Sequence, residues 1–131
     1  MEQEAQKSRR FLAVAFTVFI VFAAMLLFIF IRYKVRHTFS VQKWADRPER
    51  RINLTADLLD RYSLVGMTEN QVTELLGPED NNERTSFKMH MGPYPPESTL
   101  LYYLGVDLMD GCWLILSMED GVVVDIAEGY T

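Results

Sequence analysis

Hydrophobic positions divide the chain into two parts. Residues 11–31 read FLAVAFTVFIVFAAMLLFIFI, a run without charge, Pro or Gly in which Thr17 is the only polar side chain. As a helix rising about 1.5 Å per residue it is roughly 32 Å long, which matches the roughly 30 Å hydrocarbon core of a bilayer. A helix satisfies its backbone N–H and C=O groups internally, so the run predicts one membrane span, with Phe11, Phe16, Phe19, Phe22, Leu26, Phe30 and Ile31 among the spanning residues. The run passes directly into Arg32, Tyr33, Lys34, Val35 and Arg36 with no small-residue cleavage pattern, and is expected to stay on as an anchor. A tail over 1–10 precedes it, and a basic juxtamembrane linker over 32–47 follows. Pro48 pushes the residue before it out of helical conformation, so a folded domain is expected over 48–131.

Within that domain the apolar spacing changes period twice. Leu54, Leu58, Leu59 and Tyr62 fall on one helical face, and Asn53 or Thr55 is available as the cap. A second helix is bounded more sharply. Thr68 and Gln71 form a capping box, Met67 can staple to Val72, and Gly77-Pro78 stops the helix with Val72, Leu75 and Leu76 toward the core. Residues 79–97 mix charges with Asn81, Asn82, Gly92, Pro93, Pro95 and Pro96, which predicts a long excursion with at most an edge strand near 87–91.

Strands are expected over 99–104, 112–118 and 122–127. Asp120-Gly121 suits a two-residue hairpin that pairs Glu119 with Val122, Ser117 with Val124 and Ile115 with Ile126. On that register Trp113, Ile115, Val124 and Ile126 form the helix-covered face, and Leu114, Leu116 and Met118 form the opposite strip. The expected architecture is α+β: one transmembrane helix, then a small ααβββ domain with two helices on an antiparallel three-stranded meander.

Charge follows the same division. Residues 1–60 hold ten basic and six acidic side chains, and residues 61–131 hold three and twelve, so the chain runs from +4 to −9. An acidic domain without a basic stripe lacks the electrostatic footprint for phosphate backbones, so no nucleic-acid partner is expected. The charges flanking the helix pull orientation in two directions. Arg32, Lys34 and Arg36, with Lys43, Arg47, Arg50 and Arg51 beyond, favour a cytoplasmic domain, whereas the short N-terminal tail has the form of a signal anchor whose following domain is exported. The basic segment is also compatible with anionic headgroups.

Candidate chemistry is sparse. Cys112 lies between Gly111 and Trp113 in a predicted strand and reads as an inert buried thiol; His37 and His90 are too distant to build a zinc site with it. Met89, His90 and Met91 would alternate faces in a strand and cannot converge on one metal. Asp107 and Asp110 read as turn formers, and the glycines fall singly at turns instead of forming a phosphate-cradling loop. No active site, cofactor or metal is expected. Tyr94, Tyr102 and Tyr103, near the irregular excursion, are the candidate contacts for a protein partner, because tyrosine offers amphipathic area at low entropy cost.

The segment GMTENQVTELLGP over 66–78, followed by Tyr102-Tyr103-Leu104, Trp113-Leu114-Ile115-Leu116 and Asp120-Gly121-Val122, resembles the SmpA/OmlA family of small bacterial outer-membrane assembly lipoproteins, also called BamE-like. The resemblance covers roughly 54–127, here on a transmembrane anchor where the family has a lipidated cysteine. It implies a fold shared with β-lactamase-inhibitor-protein-like domains, and an extracytoplasmic, non-enzymatic domain that binds proteins at a membrane surface. That tips the expected orientation outward: a single-pass protein of the inner, or plasma, membrane whose partners are the lipid bilayer and a second protein. The alternative is a cytoplasmic, membrane-tethered regulator that holds headgroups through its basic juxtamembrane segment.

Overall fold

The structure, a computed structural model, describes residues 1–80 and 94–130. Two compact units divide it, Met1–Arg36 and His37–Thr131. The first lies within a single helix, α1 (Glu2–His37), which is long and apolar enough to cross a membrane once. None of its residues is buried within the structure, as expected of a helix whose apolar side chains need a solvent other than water. At its C-terminal end two cationic side chains fold back over the aromatic ring one turn earlier. Arg32 lies 5.9 Å from the Phe28 centroid and Lys34 6.0 Å from that of Phe30. Each contact places the charged end of the side chain over the ring face, a cation–π arrangement.

The second unit is the α+β domain. Its elements are α2 (Val41–Asp46), a 3-10 turn (Pro48–Arg50), α3 (Ile52–Arg61), α4 (Glu69–Leu76), a second 3-10 turn (Pro96–Ser98), and strands β1 (Thr99–Asp107), β2 (Asp110–Glu119) and β3 (Val122–Tyr130). The strands form one antiparallel meander in the order β1-β2-β3. The folded unit begins at His37, well ahead of Pro48, because the residues expected as linker contribute to the core. Phe39 and Trp44 are buried, and their rings meet edge to face at 5.9 Å. Phe39 also packs on Tyr62 at 5.6 Å, and Trp44 on Tyr102 at 6.2 Å. Ser40 caps α2 by accepting from the Lys43 N–H.

The expected second helix forms as α4 with both halves of its capping box. The Gln71 N–H donates to Thr68 Oγ1 at 3.3 Å, and the Thr68 N–H to Gln71 Oε1 at 2.9 Å. Gly77 ends it at φ +80°, a conformation a Cβ would strain. Val72 and Leu76 are buried against the sheet, with Leu75 packed beside them. The cap of α3 departs from expectation: Arg51 occupies the position without a side-chain cap, and Thr55 donates back to the Arg51 carbonyl from inside the helix.

The β2–β3 register also needs correction. Glu119 pairs with Val122, but Met118 then faces Val123, Ser117 faces Asp125 and Leu116 faces Ile126. A bulge takes up Val124, and the slip of one residue reverses the faces beyond it. The helix-covered face is therefore Leu100, Tyr102, Leu104, Cys112, Leu114, Leu116 and Val123, with Met118 and Ile126 packed on it. Trp113 and Ile115 belong to the other face, and Val124 is exposed. The strip expected to lie partly open is thus the core. The possible edge strand near 87–91 lies outside the described residues.

Candidate functional site

The excursion leaves α4 through Gly77 and Pro78, which carry Glu79 and Asp80 alongside the outer edge of β1. There the chain seals that edge. The Asp80 N–H donates to the Leu101 carbonyl at 2.9 Å, the Leu101 N–H to Glu79 Oε2 at 3.0 Å, and the Tyr103 N–H to Asp80 Oδ2 at 2.7 Å. The Tyr103 carbonyl, on the same edge, accepts from Arg51 Nη1 at 3.2 Å.

Arg51 is the centre of this arrangement. Its side chain is 7% exposed, pairs with Asp80 at 2.7 Å, donates through Nε to the Trp44 carbonyl at 2.8 Å, and lies 4.9 Å from the Trp44 ring centroid. A guanidinium satisfies an ion pair, two carbonyls and an aromatic face at once because its donors are held in a rigid planar fork. One basic residue of the expected headgroup-binding segment is therefore committed to the fold. The same segment's Lys43 donates to the Thr38 carbonyl, so the basic run is divided between α1 and the domain.

Sealing the edge fixes β1's facing and separates the three candidate tyrosines. Tyr102 points inward, is fully buried, and donates its hydroxyl to the Gly77 carbonyl at 2.9 Å. Burial, with Glu79 and Asp80 adding to it, raises this phenol above its ordinary value of 10.0. Tyr102 is thus a core residue and not a surface contact. Tyr103 turns to the opposite face, where its ring meets Trp113 at 5.2 Å. Tyr94 packs on the same cluster of Leu101, Trp113 and Ile115, and both tyrosines are half-buried. The structure therefore brings Tyr94 and Tyr103 together on the face turned away from the helices.

Cys112 is buried in the helix-side core, and burial raises its thiol, which disfavours the nucleophilic thiolate. Asp107 and Asp110 pair across the β1–β2 hairpin, whose two loop residues, Leu108 and Met109, are almost wholly exposed. His90 lies outside the described residues. Sequence reasoning missed Arg51, whose partner stands 29 positions away, and this apolar hairpin tip. The only local signal of the tip was an apolar pair set between two aspartates.

Compared with known proteins, the chain matches no family model, and no curated protein and no solved structure is significantly similar to it.

Proposed function

We propose that this chain is a membrane-anchored, non-enzymatic protein-interaction module of the cell envelope, with its C-terminal domain on the extracytoplasmic side of the inner membrane. The observation that carries the reading is that Tyr94 and Tyr103 pack on one buried cluster, Leu101, Trp113 and Ile115, on the sheet face away from the helices, in a domain joined to a helix apolar enough to span a bilayer. Half-buried tyrosines over a packed Trp combine fixed geometry with a polar tip, the combination enriched in binding hot spots. The resemblance of 54–127 to BamE-like domains points to the same activity and to the same side of the membrane.

The test is capture of partners from cells by the full chain and by a variant carrying Tyr94→Ala and Tyr103→Ala. Loss of capture with an unchanged unfolding transition is the expected result. Equal capture by the two chains would overturn the assignment.

A second reading, a cytoplasmic regulator that holds lipid headgroups, draws on Arg32, Lys34 and Arg36, all exposed on α1. It predicts salt-sensitive binding of a peptide covering 32–51 to anionic liposomes.

A further inference from the structure

We propose that the outer edge of β3, over residues 126–130, docks an extended basic segment of a partner protein, which adds as a fourth strand of the sheet. The inference rests on the interaction reading above and names the partner's chemistry.

The two edges of the sheet are treated differently. On β1, Glu79, Asp80 and Arg51 occupy the outward groups of Leu101 and Tyr103. On β3 only the start is occupied: the Val123 N–H donates to the Met67 carbonyl at 2.8 Å, and the Gly66 N–H to the Val123 carbonyl at 2.7 Å. Ladder alternation then determines which later groups face outward. Leu101 and Tyr103 turn away from β2, so their partners Ile115 and Trp113 turn toward β3, where they meet Ala127 and Gly129. Ile126, Glu128 and Tyr130 therefore direct N–H and C=O outward. Val123 agrees with this, since the one-residue bulge makes its odd offset from Ile126 the required one. Among the described residues none bonds to these three outward pairs.

Charge selects the occupant. Residues 89–131 contain seven carboxylates and no Lys or Arg. Asp125 and Glu128 stand exposed on β3, on opposite faces of the sheet. Soluble proteins commonly defend an edge with charged side chains, Lys above all, with Pro or with a cover; residues 126–130 have neither Lys nor Pro, and their one charge is the acidic Glu128. A second copy would bring carboxylates against carboxylates. A strand with two basic side chains three positions apart meets Glu128 on one face and Asp125 on the other, while its main chain takes up the outward groups.

The experiment uses the full chain in phosphatidylcholine nanodiscs with the blocked peptide TVKVTKVT, and TVEVTEVT as control. Amide exchange at Ile126, Glu128 and Tyr130 is expected to slow about tenfold or more with the lysine peptide only. Glu128→Pro removes one outward N–H and the carboxylate beside it without touching the β2–β3 ladder, and is expected to weaken binding about tenfold or more at an unchanged melting temperature. Because a proline variant can fail to fold, a second variant combines Asp125→Lys with Glu128→Lys, keeps every N–H, and should prefer the glutamate peptide. Equal binding of both peptides, full binding by Glu128→Pro, or protection present without peptide and lost on dilution, the mark of a second copy, would each overturn the proposal. Tyr94- and Tyr103-dependent capture without protection at 126–130 would overturn it and leave the interaction reading standing; loss of both would overturn both.

Discussion

Arg51 shows how one side chain links parts of the chain that local pattern treats separately. It ties the carbonyl of α2's Trp44, the carboxylate after α4 and the edge of β1 into one polar network. Truncation to Ala would leave the Asp80 carboxylate and the Tyr103 carbonyl without their cationic donor. Removing one partner of such a buried pair costs about 3 kcal/mol. Arg51→Ala is therefore expected to lower the urea midpoint strongly.

Tyr102 gives a pH-dependent counterpart. Its phenol is raised in the folded state by burial first and then by neighbouring carboxylates, so the folded chain holds that proton more tightly than the unfolded chain. The stabilisation is fully present below pH 10 and falls as pH rises beyond it. Urea denaturation between pH 8 and 11 is expected to show stability falling at the alkaline end. Tyr102→Phe should lose about 1 kcal/mol at neutral pH with the Gly77 hydrogen bond and flatten the alkaline fall.

Among the elements, α4 was the most legible in the sequence, because all of its signals are local. Thr68, Gln71 and Gly77 act within one or two turns of one another, so their signals are readable from neighbouring positions alone. The sheet was legible in its strands and turns but not in its facing. The Asp120-Gly121 turn set the first pair correctly; the bulge at Val124 then shifted β3 by one residue against β2, so that Ile126, on the helix-covered face as expected, shares it with Leu114 and Leu116 instead of Trp113 and Ile115. Alternation alone cannot reveal a bulge, since Val122, Val123 and Val124 are equally apolar and any of them could be the one left out of register.

A second bulge, between Tyr103 and Gly105, has a steric reason visible only in three dimensions. Gly105 lies at φ +121°, and a Cβ there would run into the Glu49 carbonyl, with the Glu49 carbonyl carbon at 2.9 Å. The obstruction is backbone, which cannot move aside as a flexible side chain does. Gly105→Ala is expected to cost about 2–3 kcal/mol, read as a drop in melting temperature, through overpacking and backbone strain together.

For the whole molecule, the division into an apolar helix and an acidic α+β domain was readable from composition and period alone. The start of the domain was not. Phe39 and Trp44 sit in a stretch whose polar neighbours hide its apolar periodicity, and only the packing of their rings on Tyr62 and Tyr102 marks it as core. Of the three tyrosines the sequence offered, the β1 register sends Tyr102 inward, a facing that local pattern does not determine.

We propose that the helix anchors an interaction domain outside the cytoplasm, and the accessibility of one introduced thiol tests this most directly. Cys112 is buried and would be replaced by Ser; Glu97, exposed in the turn before β1, would become the sole cysteine. Labelling of Glu97→Cys by a membrane-impermeant maleimide in intact cells is the predicted result. Labelling only after permeabilisation would contradict the account and assign the domain to the cytoplasm.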